Sequence, residues 1–150
     1  MASTSTASEP IWVVPVSIES LAQWADDNMI SHLGIAFTEV GPDFLKATMP
    51  VDHRTRQPLG LLHGGASVVL AETLGSIAGS CCVDLEHFYV VGLEVNANHV
   101  RSVQEGTVEG TVRPIHLGST TQLWDIQIRD PEGRLVCISR LTLAVMKRRV

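Results

Sequence analysis

One hundred and fifty residues, 45% hydrophobic and 18% charged, fit one globular domain with its own core and exclude a disordered chain. A net charge of −5 argues against a broad nucleic-acid surface. The cations Arg101, Arg113, Lys147, Arg148 and Arg149, all in the last third, still leave room for an anionic small ligand. Three cysteines (Cys81, Cys82 and Cys137) make no spaced disulfide framework and read as small buried hydrophobes of a reducing cytoplasm.

Met1–Glu9 is rich in Ser, Thr and Ala, with neither a basic n-region nor a long apolar h-region, so it is not expected to be a signal peptide. Residues 1–16 are read as a disordered or loosely ordered tail and residues 17–150 as the domain. Ser17 caps a predicted amphipathic helix that ends near Asn28, with Ile18, Leu21, Ala22 and Ala25 as its apolar stripe. Strands are predicted over Ile35–Val40 and Phe44–Pro50, joined by the turn Gly41-Pro42-Asp43. A polar loop over Asp52–Pro58 follows.

Gly60-Leu61-Leu62-His63-Gly64-Gly65-Ala66 then reads as an extended segment and a glycine break, opening a long apolar helix. From Gly65 to Cys82 there are eighteen residues, and Glu72 is the only acid or base among them. The segment approaches membrane-spanning length, but Glu72, three glycines and several serines fit a central helix wrapped by a sheet better. After it come four predicted strands, Tyr89–Asn98, Gly106–Ile115, Thr120–Arg129 and Leu135–Met146, with a turn at Asp130-Pro131-Glu132-Gly133. Pro114, which cannot donate to a ladder, is placed at an edge or a bulge. The fold class is α+β, one long helix on a curved antiparallel sheet.

The chemistry lies around the glycine break. A buried carboxylate costs several kcal/mol unless it is paired, hydrogen-bonded or protonated, so Glu72 among Val68, Val69 and Gly75 reads as an activated base or nucleophile. A helix start offers free N–H groups and partial positive charge to an oxyanion, and Gly64 does so without a Cβ in the way. His63 has three roles open to it: bonding the reacting acyl group, orienting Gln57, or holding the loop. The Gln57 amide can steady a carbonyl or water. Ser76, at i+4 from Glu72, shares its face and can orient water or a leaving group, or bond back to the Glu72 carbonyl. The small residues Gly75-Ser76-Gly79-Ser80 can leave room for a bulky acyl group or for another helix. No Gly-x-Ser-x-Gly elbow occurs, and the six histidines show no His-x-x-x-His spacing, so a serine-elbow hydrolase and a zinc site are not expected.

These strings together resemble the hotdog-fold acyl-CoA thioesterases. The likeness is to the branch of 4-hydroxybenzoyl-CoA and 1,4-dihydroxy-2-naphthoyl-CoA thioesterases with a catalytic glutamate. It covers roughly Ser17 to Met146. It is carried by Ala47–Asp52, Arg54–Pro58, Gly60–Glu72, Val91–His99 and His116–Ser119. The resemblance implies Glu72 as nucleophile or general base, the Gly64 N–H as oxyanion donor, and His63, Gln57 and Ser76 beside them. It also implies coenzyme A contacts at His99, Arg101, Ser119 and Thr120, although a solvated strand-end charge is the commoner fate of a residue like Arg101. The substrate would be an acyl-CoA, preferably aromatic, with coenzyme A part of the substrate and no separate cofactor or metal. A broad-range thioesterase and a non-catalytic acyl-CoA-binding domain are the alternatives; a hotdog-fold hydratase with an Asp/His pair finds no pattern here. The resemblance further implies a cytoplasmic homotetramer, a dimer of dimers bound to neither nucleic acid nor membrane. Its site would form between subunits, with Gln57, His63 and Gly64 facing Glu72 and Ser76 of another chain.

Overall fold

A computed structural model describes residues 9–149. Six antiparallel strands form one sheet: β1 Ala36–Val40, β2 Leu45–Pro50, β3 Phe88–His99, β4 Thr107–Leu117, β5 Thr121–Arg129 and β6 Leu135–Lys147, in the order β1-β2-β4-β5-β6-β3. One long helix, α3 (Gly64–Cys81), packs on this sheet. Each predicted strand is present, with ends within two residues of those expected from alternation and turn residues.

The period-2 pattern does what it should. Along β5, Gln122, Trp124, Ile126 and Ile128 point inward and are buried. Leu45, Ala47 and Met49 of β2, Val108 and Val112 of β4, and Leu141 and Leu143 of β6 meet Leu70, Ala71, Leu74 and Ala78 of α3. Gly75 and Gly79 let the helix sit close: a Cβ at Gly75 would lie 2.5 Å from Leu141 Cδ2, and one at Gly79 would collide with Leu143. Those glycines face the sheet, so they leave room neither for an acyl group nor for another helix. The buried Gln122 amide donates to the Gly79 carbonyl (3.2 Å) and accepts from Trp124 Nε1 (3.0 Å), so both buried side chains have partners.

Pro114 lies at a register shift between β4 and β5. It is also past the last β2–β4 pair, Leu45 with Val112, so no ladder partner on that side asks for its missing N–H. Gly133 closes the turn from β5 to β6 at φ 78°, a conformation that favours glycine.

Two expectations change. The helix predicted from Ser17 to Asn28 is three short pieces: α1 (Ile18–Ala22), a 3₁₀ turn (Gln23–Ala25) and α2 (Met29–His32). Ser17 does cap α1, accepting from the Ser20 N–H. Asn28, however, starts α2 rather than ending a helix: its Oδ1 accepts from the Ile30 N–H (2.9 Å), after Asp27 turns the chain at φ 45°. Asp and Asn compete with a helical backbone for hydrogen bonds, so Asp26-Asp27-Asn28 breaks and restarts the helix.

The domain boundary also moves. Ile11, Trp12, Val14 and Val16 pack against the core. Ile11 N–H donates to the Pro42 carbonyl (2.9 Å), Val13 N–H to the Cys81 carbonyl (2.8 Å), and Trp12 Nε1 to the Gly41 carbonyl (2.9 Å). Packing therefore begins by Ile11, not at Ser17, because this segment satisfies the end of α3. Of the tail expected over residues 1–16, residues 1–8 lie outside the described residues. Among the described residues no helix is long and apolar enough to cross a membrane.

Candidate active site

The loop before α3 is held by its own side chains. Thr55 is buried; its hydroxyl donates to the Pro50 carbonyl (2.7 Å) and accepts from the Asp52 N–H (3.0 Å). Arg54 Nη2 meets Asp52 Oδ2 at 2.6 Å, and these hydrogen bonds from the Arg54 side chain and backbone hold the Asp52 carboxyl down to about 2. Arg56 Nε donates to the Gln104 carbonyl (2.8 Å). The loop thereby presents Gln57, whose Oε1 accepts from the Leu59 N–H. That bond leaves the two N–H donors of the amide for another partner.

His63 is the N-cap of α3. Its Nδ1 accepts from the Gly65 N–H at 2.8 Å, so the neutral ring carries its proton on Nε2. Of the three roles open to His63, holding the loop is the one with a bond in place. Gly64 N–H meets no acceptor among the described residues. It points out from the positive end of an 18-residue helix. The space beside Gly64 belongs to His99: a Cβ there would lie 2.8 Å from His99 Nε2. Gln57, Gly64, His99 and Arg101 line one cavity of about 420 Å³ with Ser67 and Ser102.

Glu72 and Ser76 line a different cavity, of about 410 Å³. Its walls are otherwise mostly apolar: Trp24 and Met29 from the N-terminal pieces, Val69 and Ile77 from α3, and Val90 from β3. Glu72 is half-buried on α3. Ser76 makes no back-bond to the Glu72 carbonyl among the described residues; that bond occurs one turn later, where Ser80 Oγ donates to the Ser76 carbonyl (2.9 Å). Gly64 and Glu72 are eight residues apart on one helix, about 12 Å along its axis at 1.5 Å per residue. The two groups open on different cavities of the one chain.

Ser119 and Thr120 are not brought to His99 and Arg101. They lie in the turn between β4 and β5, where the Thr120 carbonyl accepts from Val145 N–H near the end of β6 (2.8 Å). His99 pairs with Cys137 and Thr121 with Ala144, seven residues along β6 and so about 23 Å apart. Sequence reasoning missed the cavity wall of Trp24, Met29 and Val90. Trp24 and Met29 are 40% and 61% exposed, large apolar groups without a core position, and the capping signature at Asn28 would have placed Met29 on a helix of its own, apart from Trp24.

The thioesterase superfamily matches residues 59–137, the span from the end of the loop through α3 to β6. The chain belongs to the thioesterase superfamily. A 1,4-dihydroxy-2-naphthoyl-CoA hydrolase from Escherichia coli is 56% identical over 136 residues, covering 91% of this chain and 99% of that protein. The proofreading thioesterase EntH of Cronobacter sakazakii is 49% identical over 91% of this chain and 98% of its own length. Among solved structures, a mutant thioesterase from Pseudomonas aeruginosa superposes with a TM-score of 0.90 at 48% identity, covering 92% of this chain and 99% of its own. The fold is the hotdog fold, and the protein is a thioester hydrolase.

Proposed function

We propose that this thioesterase hydrolyses an aromatic acyl-CoA to the free acid and coenzyme A, with 1,4-dihydroxy-2-naphthoyl-CoA the preferred substrate and menaquinone biosynthesis the setting. One observation carries the reading. The lone carboxylate of α3 opens on a mostly apolar cavity, while the Gly64 N–H and the Gln57 amide open on a separate polar one with His99 and Arg101. The apolar cavity suits an acyl group. The polar one suits the thioester oxygen and the start of coenzyme A, with Arg101 offering charge to its phosphates.

The two halves meet when two copies pair. β3 is an edge strand, and Val91 and Leu93 on it are exposed, which suits pairing with a second copy. Glu72 and Ser76 of one chain would then face Gln57, His63 and Gly64 of the other. Ser119 and Thr120, remote from Arg101 within one chain, would contact coenzyme A only through such a copy. Two such dimers make the proposed tetramer, working in the cytoplasm without a cofactor.

The reaction follows from these groups. In one course Glu72 takes a proton from water, the hydroxide attacks the thioester carbon, and the C–S bond breaks to release the free acid and coenzyme A thiolate, which takes the proton back from Glu72. In the other its carboxylate attacks directly, coenzyme A leaves as thiolate, and water cleaves the resulting anhydride. In both, negative charge grows on the carbonyl oxygen, where the Gly64 N–H donates; one such donor is worth roughly 3–4 kcal/mol in a transition state.

Coenzyme A release from benzoyl-, phenylacetyl-, fatty-acyl- and 1,4-dihydroxy-2-naphthoyl-CoA tests the proposal. The hydroxynaphthoyl ester is expected to give the highest kcat/KM, and Glu72→Gln to lower kcat by about 10²–10⁴-fold. Equal rates across the panel would favour a broad-range enzyme. Binding without turnover of any member would leave an acyl-CoA-binding domain instead.

A further inference from the structure

Most glycines in this chain are accounted for by backbone or packing. Gly34, Gly60, Gly106 and Gly133 adopt positive φ, and Gly75, Gly79 and Gly110 admit core side chains. Gly92 fits neither group. It lies within β3, with no positive φ to demand a glycine. A Cβ built on it would sit 2.6 Å from Glu72 Oε1, with Glu72 Cδ at 3.7 Å, and it would meet no other group within 4 Å. The space beside this backbone thus belongs to one carboxylate.

The strand is shaped for this contact. Val90, two residues back and so on the same face, lines the cavity that holds Glu72. Directly after Gly92 the β3–β6 register shifts, so that Gly92 pairs with Leu143 and Glu94 with Thr142, leaving Leu93 as the extra residue. Bulges bend a strand and re-aim what it presents. Here the bend falls beside the acid.

We propose that Gly92 is a positioning residue for Glu72: its missing side chain is the seat of Oε1, and it selects the carboxylate orientation that faces the thioester. This rests on the reading of Glu72 as base or nucleophile. An ordinary carbon–oxygen contact is about 3.4 Å or more, so a methyl at Gly92 displaces the carboxylate by close to 1 Å, and displacements of that size cost roughly 10²-fold in rate. The obstacle is the far end of a flexible side chain, so the fold is expected to tolerate it.

The test compares Gly92→Ala, Glu72→Gln and their combination on the acyl-CoA of the panel with the highest kcat/KM. Gly92→Ala is expected to lower kcat about 10- to 100-fold with KM changed less than about threefold, with circular dichroism and the size-exclusion profile unchanged. In the Glu72→Gln background the alanine is expected to change the residual rate no further, because both act through one carboxylate. A full kcat in Gly92→Ala overturns the inference, as does an undiminished effect of the alanine in the Glu72→Gln background, or loss of the assembly. If Gly92→Ala does not fold, Glu72→Ala is added: recovery of the fold supports the collision, and continued misfolding overturns it. Wild-type rates in Glu72→Gln alone would instead remove the reading of Glu72 on which this depends.

Discussion

His63 shows how one side chain can be fixed at one atom and free at another. Its Nδ1 caps α3 through the Gly65 N–H, leaving Nε2 unspent by that bond. His63→Ala is expected to cost about 1 kcal/mol of stability, and His63→Asn, which can cap in its place, close to none. Urea denaturation separates the two. If Nε2 also serves the reaction, His63→Asn will fold as the wild type does and still turn over slowly. Gly64 differs in kind, because His99 already fills the space a Cβ would take. Gly64→Ala therefore presses on an exposed imidazole that is free to rotate away, and the expected damage is to kcat and not to the fold.

The loop before α3 is the element on which Gln57 depends. Thr55→Val leaves the Asp52 N–H and the Pro50 carbonyl without their shared hydroxyl, at a cost of about 1–3 kcal/mol and a loosened Gln57. The Asp52–Arg54 pair gives the loop a pH dependence of known sign. Hydrogen bonds from Arg54 hold Asp52 at about 2, below its ordinary 3.8. The folded state therefore binds this proton less readily than the unfolded chain. The pair's contribution is complete above about pH 4 and is lost as pH falls toward 2. Asp52→Asn is expected to remove that part of the acid dependence of the urea midpoint, with no change of slope near neutral pH. The N-terminal pieces are a contrasting element. Asp26-Asp27-Asn28 was available in the sequence as a break, but the apolar spacing on either side also suits one continuous helix.

At the scale of the molecule, the proposed division of the site between two chains has a direct consequence. Gln57→Ala and Glu72→Gln proteins, each weakly active, should regain activity when unfolded together and reassembled. Random pairing puts an intact site in half of the mixed dimers' positions, so recovery of about a quarter of wild-type activity is expected. No recovery would place both halves within one chain. Burial has its own signature: it raises the Cys81 thiol to about 11 and Cys82 to about 12, so both stay protonated and unreactive near neutral pH. Thiol reagents are expected to label them only as the protein unfolds, with labelling and loss of circular dichroism rising together in urea.

The sequence by itself determined the strands, the central helix and the family, because those depend on short-range patterns and on strings of residues read along the chain. Alternation marks β5, a glycine break opens α3, and one acid stands alone along its apolar length. Tertiary structure decided what those residues face. It laid Ile11–Val16 across the end of α3, turned Gly75 and Gly79 onto the sheet, and set His99 beside Gly64. It separated Ser119 and Thr120 from Arg101 by most of a strand, and Gly64 from Glu72 by about two turns of helix. It also put the bare backbone of Gly92 beneath the Glu72 carboxylate. None of these contacts follows from local periodicity. The His99 and Gly92 contacts arise because strand order returns β3 to the sheet edge next to β6, where a bulge after Gly92 sets which residues face the helix.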